Sequence, residues 1–104
     1  MIIGFNTDKN TAGSNGFRDS VSELISEELE RFSAHITRLD VHITDEDGKK
    51  DGKNDKRCLL EARLEGRKPI AVTHHANNNE QAVEGAIEKM KSSLETIVGH
   101  LRNH

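Results

Sequence analysis

The chain has 104 residues with no tryptophan, no tyrosine, one cysteine and one proline. Each shortage removes a class of function. Three phenylalanines are the whole aromatic complement, too few for a platform on which successive bases stack. A lone Cys58 makes no internal disulfide and anchors no thiolate zinc cluster. No window approaches the roughly 18 apolar residues of a membrane-spanning helix. The start, MIIGFNTDKN, has neither a basic opening nor a long apolar run, so no targeting segment is expected. Excess positive charge is missing too: the net charge is -3 and the pI about 6.0. Nonspecific attraction to phosphate backbones therefore has no global field behind it. The length suits one small domain over residues 1–104, without room for a deep-pocket enzyme. A reduced, cytoplasmic protein is expected.

What is present is periodic. Ile2 to Phe5 reads as a strand running into a polar loop with Gly13 and Gly16. Phe17, Val21, Leu24, Ile25, Leu29 and Phe32 recur three and four apart, opposite Glu23, Glu27, Glu28, Glu30 and Arg31. This predicts an amphipathic helix, capped by Ser14 or Asn15. The period then falls to two, with Leu39, Val41 and Ile43 on one side and Arg38, Asp40, His42 and Thr44 on the other. Residues 45–55, DEDGKKDGKND, hold no apolar side chain and predict a solvated hairpin loop. Alternation returns with Cys58, Leu60, Ala62 and Leu64 inward and Arg57, Leu59, Glu61, Arg63 and Glu65 outward. GRKP is a tight connection in which Gly66 takes a positive φ. IAVTHH follows as a strand with Ile70, Val72 and His74 inward. Asn78 and Gln81 fit a capping box for a long helix carrying Ala82, Val83, Ala86, Ile87, Met90, Leu94, Ile97, Val98 and Leu101. Gly85 inside it costs on the order of 1 kcal/mol relative to alanine, which close packing on the sheet would explain. The fold class is α+β: a two-layer β-α-β-β-β-α domain, two helices on one face of a four-stranded sheet.

That arrangement leaves one sheet face open, with Arg38, His42, Arg57, Arg63 and His75 on or near it. Guanidinium groups suit phosphate because their rigid fork matches paired oxygens. Asp40, Glu61 and Glu65 share the same rows, so cross-strand ion pairs on an ordinary wet face account for the pattern equally. Recognition by shape and phosphate suits such a face better than base stacking.

Other constellations are weaker. His74 and His75 point to opposite faces of a strand and do not share an ion. His42 and His75 form at best a pair of imidazoles without a placed carboxylate. His100 and His104 fall at a fraying terminus, and His35 follows the first helix, where its carboxyl-terminal dipole offers a partner. Asp45, Asp47, Asp51 and Asp55 suggest calcium, but the EF-hand spacing fails at Lys49, and Lys49, Lys50 and Lys53 oppose a cation. Neither a metal nor a cofactor is expected. Cys58 reads as a small buried hydrophobe. There is no nucleophile elbow, zincin motif or phosphate loop, so an enzyme is not expected.

Three tracts, ITRLDVHITDEDG, DKRCLLEARLEGRKPIAVTHHA and NNNEQAVEGAIEKMKSSLETIVGHL, together with the FRDSVSELISEELERF helix, resemble the ribosome-associated inhibitor and hibernation-promoting factor family, also described as sigma-54 modulation or ribosomal protein S30EA-like. The resemblance covers essentially the whole chain and looks closest to a short bacterial branch. It implies a β-α-β-β-β-α domain that binds the small ribosomal subunit and ribosomal RNA where messenger and transfer RNA lie, blocking translation and preserving inactive ribosomes. Longer relatives add a carboxyl-terminal dimerisation domain, for which this chain has no room. Arg18, Arg57, Arg63, Lys89 and Lys91 fall near basic positions used for ribosomal RNA contact in the family, as electrostatic and hydrogen-bonding groups. The last helix departs from the family by offering SSLETIVGH where ribosome binders carry further Lys and Arg, and the first helix carries a dense Glu series.

Residues 1–55 hold a net charge of -5 and residues 56–104 of +2. The leading expectation is a noncatalytic ribosome-associated translation regulator, with no membrane or DNA partner. The alternative is a protein-binding stress or regulatory module that turns its acidic first helix to a basic protein. A small hydrolase would need a pocket with convergent acid and base groups, which the sequence does not supply. A contiguous positive strip favours RNA; fragmented basic groups favour protein.

Overall fold

A computed structural model describes residues 1–7, 15–45 and 56–102. The elements run β1 (Ile2–Thr7), α1 (Asn15–Glu28), a 3-10 turn (Glu30–Phe32), β2 (Ile36–Asp45), β3 (Lys56–Leu64), β4 (Ile70–Ala76) and α2 (Asn79–Arg102). The strands form one mixed sheet in the order β1-β2-β3-β4. β1 lies parallel to β2, a pairing that needs a crossover, and α1 supplies it. β2, β3 and β4 pair antiparallel. The α+β order read from the sequence is the observed one.

One core lies between the sheet and the helices. Leu39, Val41 and Ile43 of β2 and Cys58, Leu60 and Ala62 of β3 are fully buried beneath Ile25 and Leu29 and beneath Ala82, Ala86, Met90 and Leu94 of α2. Burying each large aliphatic side chain of this set contributes about 1.5–3 kcal/mol. His74 points inward as expected, and it explains Gly85. A Cβ at that position would fall inside the His74 imidazole, so helix and strand reach this separation only with glycine there.

Two local readings change. The first helix does not continue to Phe32: after Glu28 the chain tightens, Phe32 N–H donating to Leu29 O at 2.9 Å and Ser33 N–H to Glu30 O at 3.1 Å. This 3-10 turn keeps Phe32 in the core while redirecting the backbone toward β2. β2 begins earlier than the strict alternation, at Ile36, because the register shifts between Ile36 and Arg38. The bulge lets Ile36 and Leu39 both face the core, three residues apart, which a flat strand forbids. Thr37 Oγ1, displaced outward, donates to Arg63 O at 3.1 Å.

Termini of elements follow their local chemistry. Asn78 Oδ1 accepts the Gln81 N–H at 2.8 Å and Asn78 O accepts the Ala82 N–H at 3.1 Å, capping α2. Gly66 has φ +71° in the β3–β4 connection. Asn15 is the first residue of α1. The Ser14 cap, the loop 46–55 with Asp47, Asp51 and Asp55, and His104 lie outside the described residues, as does the side chain of His100.

Candidate functional site

The sheet register assembles the open face row by row. Ile2, Arg38 and Arg63 form the first row; Gly4, Asp40, Glu61 and Ala71 the second; Asn6, His42, Leu59 and Thr73 the third; Thr44, Arg57 and His75 the fourth. Alternation fixes this set, because the intervening residues of each strand face the helices. No Phe, Tyr or Trp lies in any of these rows; the rings present are the imidazoles of His42 and His75.

The first two rows place like charges opposite one another, Arg38 beside Arg63 and Asp40 beside Glu61. Such cross-strand pairs repel, and the face relieves part of the repulsion along β2. Arg38 Nε donates to Asp40 Oδ1 at 2.9 Å and to Oδ2 at 3.2 Å. Gly4 of β1 makes room for that pair: a Cβ there would lie 2.6 Å from Asp40 Oδ1. Arg38 is therefore committed to a carboxylate. Arg57 and Arg63 have no side-chain hydrogen bond or ion pair among the described residues. They stand at opposite ends of β3, about 20 Å apart at the usual strand rise.

The remaining basic candidates scatter. Lys89 Nζ donates to Thr73 O at 2.8 Å, which holds its ammonium group beside β4. Lys91 Nζ lies 3.2 Å from Glu28 Oε2, tying α2 to α1 within the helical layer. Arg18 is exposed on α1. The structure thus brings Arg57 and Arg63 onto one surface with Lys89 near its β4 side, and leaves Arg18 and Lys91 with the helices. The roles of Arg38 as a neutralising partner and of Gly4 as its clearance were invisible in sequence, since both depend on the β1–β2 register.

Other candidates resolve by position. His42 on β2 and His75 on β4 are separated by β3 and by one row, roughly 10 Å across the sheet, so the pairing considered for a metal does not form. Among the described residues no cluster of His, Cys, Asp and Glu is placed to hold a metal ion. Burial pushes the Cys58 thiol up to about 12, which leaves it a protonated, unreactive core residue. The His35 N–H donates to Phe32 O at 2.9 Å, closing the 3-10 turn. No described helix is long and apolar enough to cross a membrane.

With this geometry in view, comparison with known proteins decides the lineage. The family model for the Sigma 54 modulation protein / S30EA ribosomal protein matches residues 6–102. The chain belongs to this family. Two solved structures share the fold of this S30EA-family chain. The N-terminal domain of Thermus thermophilus Protein Y superposes with a TM-score of 0.72 at 18% identity, covering 93% of this chain and 99% of that one. A ribosomal subunit interface protein from Coxiella burnetii gives a TM-score of 0.70 at 18% identity, covering 95% and 99%. No curated protein sequence matches. At such identity the likeness of the solved structures is one of fold.

Proposed function

We propose that this S30EA-family chain is a noncatalytic regulator of translation that binds the small ribosomal subunit through its open sheet face and occludes the region used by messenger and transfer RNA. The observation that carries the reading is the pair Arg57 and Arg63, two guanidinium groups with no partner among the described residues, at the ends of a face without Phe, Tyr or Trp. Such groups contact phosphates and position the protein without reading bases. Family membership, and a structural neighbour described as a ribosomal subunit interface protein, support a ribosomal partner. Lys89 extends the cationic rim toward β4, while Arg18 and Lys91 contribute only to RNA that reaches the helical layer. The cytoplasm is the compartment such a partner requires.

The acidic row of Asp40 and Glu61 interrupts the basic groups. That interruption favours a second reading, a protein-binding stress or regulatory module on the same fold. One experiment separates the two: binding of the purified chain to isolated small subunits across a salt series, beside Arg57→Ala/Arg63→Ala. The ribosomal reading expects saturable binding that weakens with salt, and a slope of log affinity against log salt shallower by roughly 1.4–1.8 in the double variant. Absence of wild-type binding at near-physiological salt leaves only the second reading.

A further inference from the structure

The seam between α1 and α2 is built differently at its two ends. At one end it is closed by charge: Lys91 pairs with Glu28, and Arg31 pairs with Glu95 while its guanidinium lies 4.7 Å from the Phe32 ring centre. At the other end the helices part over a groove of about 320 Å³, whose apolar floor includes Phe17, Leu24 and Val83 and whose α2 wall carries Glu80 and Glu84. A second depression of about 290 Å³ shares Leu24 and Glu84, adds Ile87 and Glu88, and ends at Glu28, the partner of Lys91. The two run together for about two helical turns along α2.

Glu80, Glu84 and Glu88 continue the stripe of α2 that includes Lys91 and Glu95, at helical spacings. Across the closed end every member of that stripe meets an opposite charge. Across the open end no basic side chain among the described residues pairs with the three carboxylates. Glu80 gains from the helix amino terminus. Glu84 and Glu88 do not, and like charges four residues apart cost the helix stability. The groove is thus apolar at its floor and uncompensated in charge along one wall. A nucleic-acid backbone is repelled by such a wall; a cationic segment with apolar anchors matches both of its properties.

We propose that this groove is a docking site for a basic, amphipathic segment of a partner protein, which lays apolar side chains over the half-exposed Phe17 and Leu24, above the buried Val83 and Ile87, and sets Lys or Arg against Glu80, Glu84 and Glu88. The site lies on the helical side, away from the open sheet face, and holds whether or not that face binds ribosomal RNA. A chain using both would bridge RNA to a basic protein.

The test titrates isotopically labelled full chain with a synthetic helical peptide of roughly four turns, Leu at every third and fourth position and Lys elsewhere. A control peptide carries Ser for Leu at the same charge. Amide shifts are expected at Leu24, Val83, Glu84 and Ile87 with saturation, and at least several-fold weaker binding of the Ser peptide. Glu80→Gln/Glu84→Gln/Glu88→Gln should weaken binding about tenfold, against less than about twofold for Glu23→Gln/Glu30→Gln/Glu65→Gln, which removes the same charge elsewhere. Glutamine keeps helix propensity, so folding is not in question. Shifts spread evenly over the acidic surface, equal binding of the two peptides, equal loss in the two triple variants, absence of binding, or displacement of the peptide by single-stranded RNA from these same amides would each overturn the proposal.

Discussion

The open sheet face and the helical layer of this small protein manage charge in opposite ways. On the sheet, a row of two carboxylates lies next to a row of two guanidinium groups, Arg38 is paired with Asp40, and Arg57 and Arg63 have no partner among the described residues. On the helical side, glutamates dominate, and Lys91 and Arg31 fasten α1 and the 3-10 turn to α2. The net charge of -3 averages over two surfaces of different character. The proposed contact with phosphate uses the first surface and the proposed contact with cationic protein the second, so the two are separable by substitution.

The largest effect expected is on binding. Reversing both free guanidinium groups, Arg57→Glu/Arg63→Glu, should lower small-subunit affinity by two orders of magnitude or more at ~0.1 M salt. Neutralising Glu80, Glu84 and Glu88 should leave it unchanged or tighter, as equilibrium sedimentation with purified subunits reports. The comparison breaks if the helical variant is the weaker binder.

Both surfaces depend on the core between them. Leu60→Ala, at a fully buried β3 position beneath the helices, should cost 2–5 kcal/mol in urea unfolding, about what a cavity of that size costs elsewhere. Gly85→Ala should cost about 1–3 kcal/mol despite the better helix propensity of alanine, because its Cβ meets His74. His74→Ala/Gly85→Ala should then be more stable than the sum of the single losses implies. Additive losses would show that His74 does not hold α2 at its distance from β4.

Cysteine 58 sharpens the same layer. Its folded pKa is raised from 9.0 to about 12 by burial, so the protonated thiol is the form the fold favours. The associated stability is fully present below about pH 9 and is lost as pH rises through about 12. Alkaline unfolding should accordingly shift upward in Cys58→Ala relative to its own neutral stability, and the native thiol should resist alkylation at pH 8. The smallest effect is at the helix cap: Asn78→Ala should cost about 1 kcal/mol.

Most of the architecture was legible because periods of two and of three to four are set by burial, and a single layer of helices leaves one consistent inward side. The inward row of Cys58, Leu60, Ala62 and Leu64, the Asn78 cap and the Gly66 turn all follow from local rules. The bulge at Thr37 was not legible, since Ile36 and Leu39, three residues apart, break the strand period of two until the register shift is known. The turn that ends α1 before Phe32 was hidden for a similar reason: Leu29 and Phe32 keep helical spacing through a 3-10 turn. At the candidate site, the outward residues were readable strand by strand. Which cation answers which carboxylate was not, because the facing of Arg38 with Arg63 and of Asp40 with Glu61, and the clearance at Gly4 that admits the Arg38–Asp40 pair, follow only from the register. The helical groove escaped altogether, as its walls come from segments about sixty residues apart in the chain.

The central claim is that the open sheet face meets ribosomal RNA. Because Cys58 is fully buried, a single added cysteine can carry a photoreactive benzophenone. Ala71→Cys places it on the open face beside Glu61, and Ser26→Cys on the exposed side of α1. Irradiation of each complex with small subunits should attach the first to ribosomal RNA and leave the second unattached to it. Crosslinks to RNA from position 26 with none from position 71 would contradict the account.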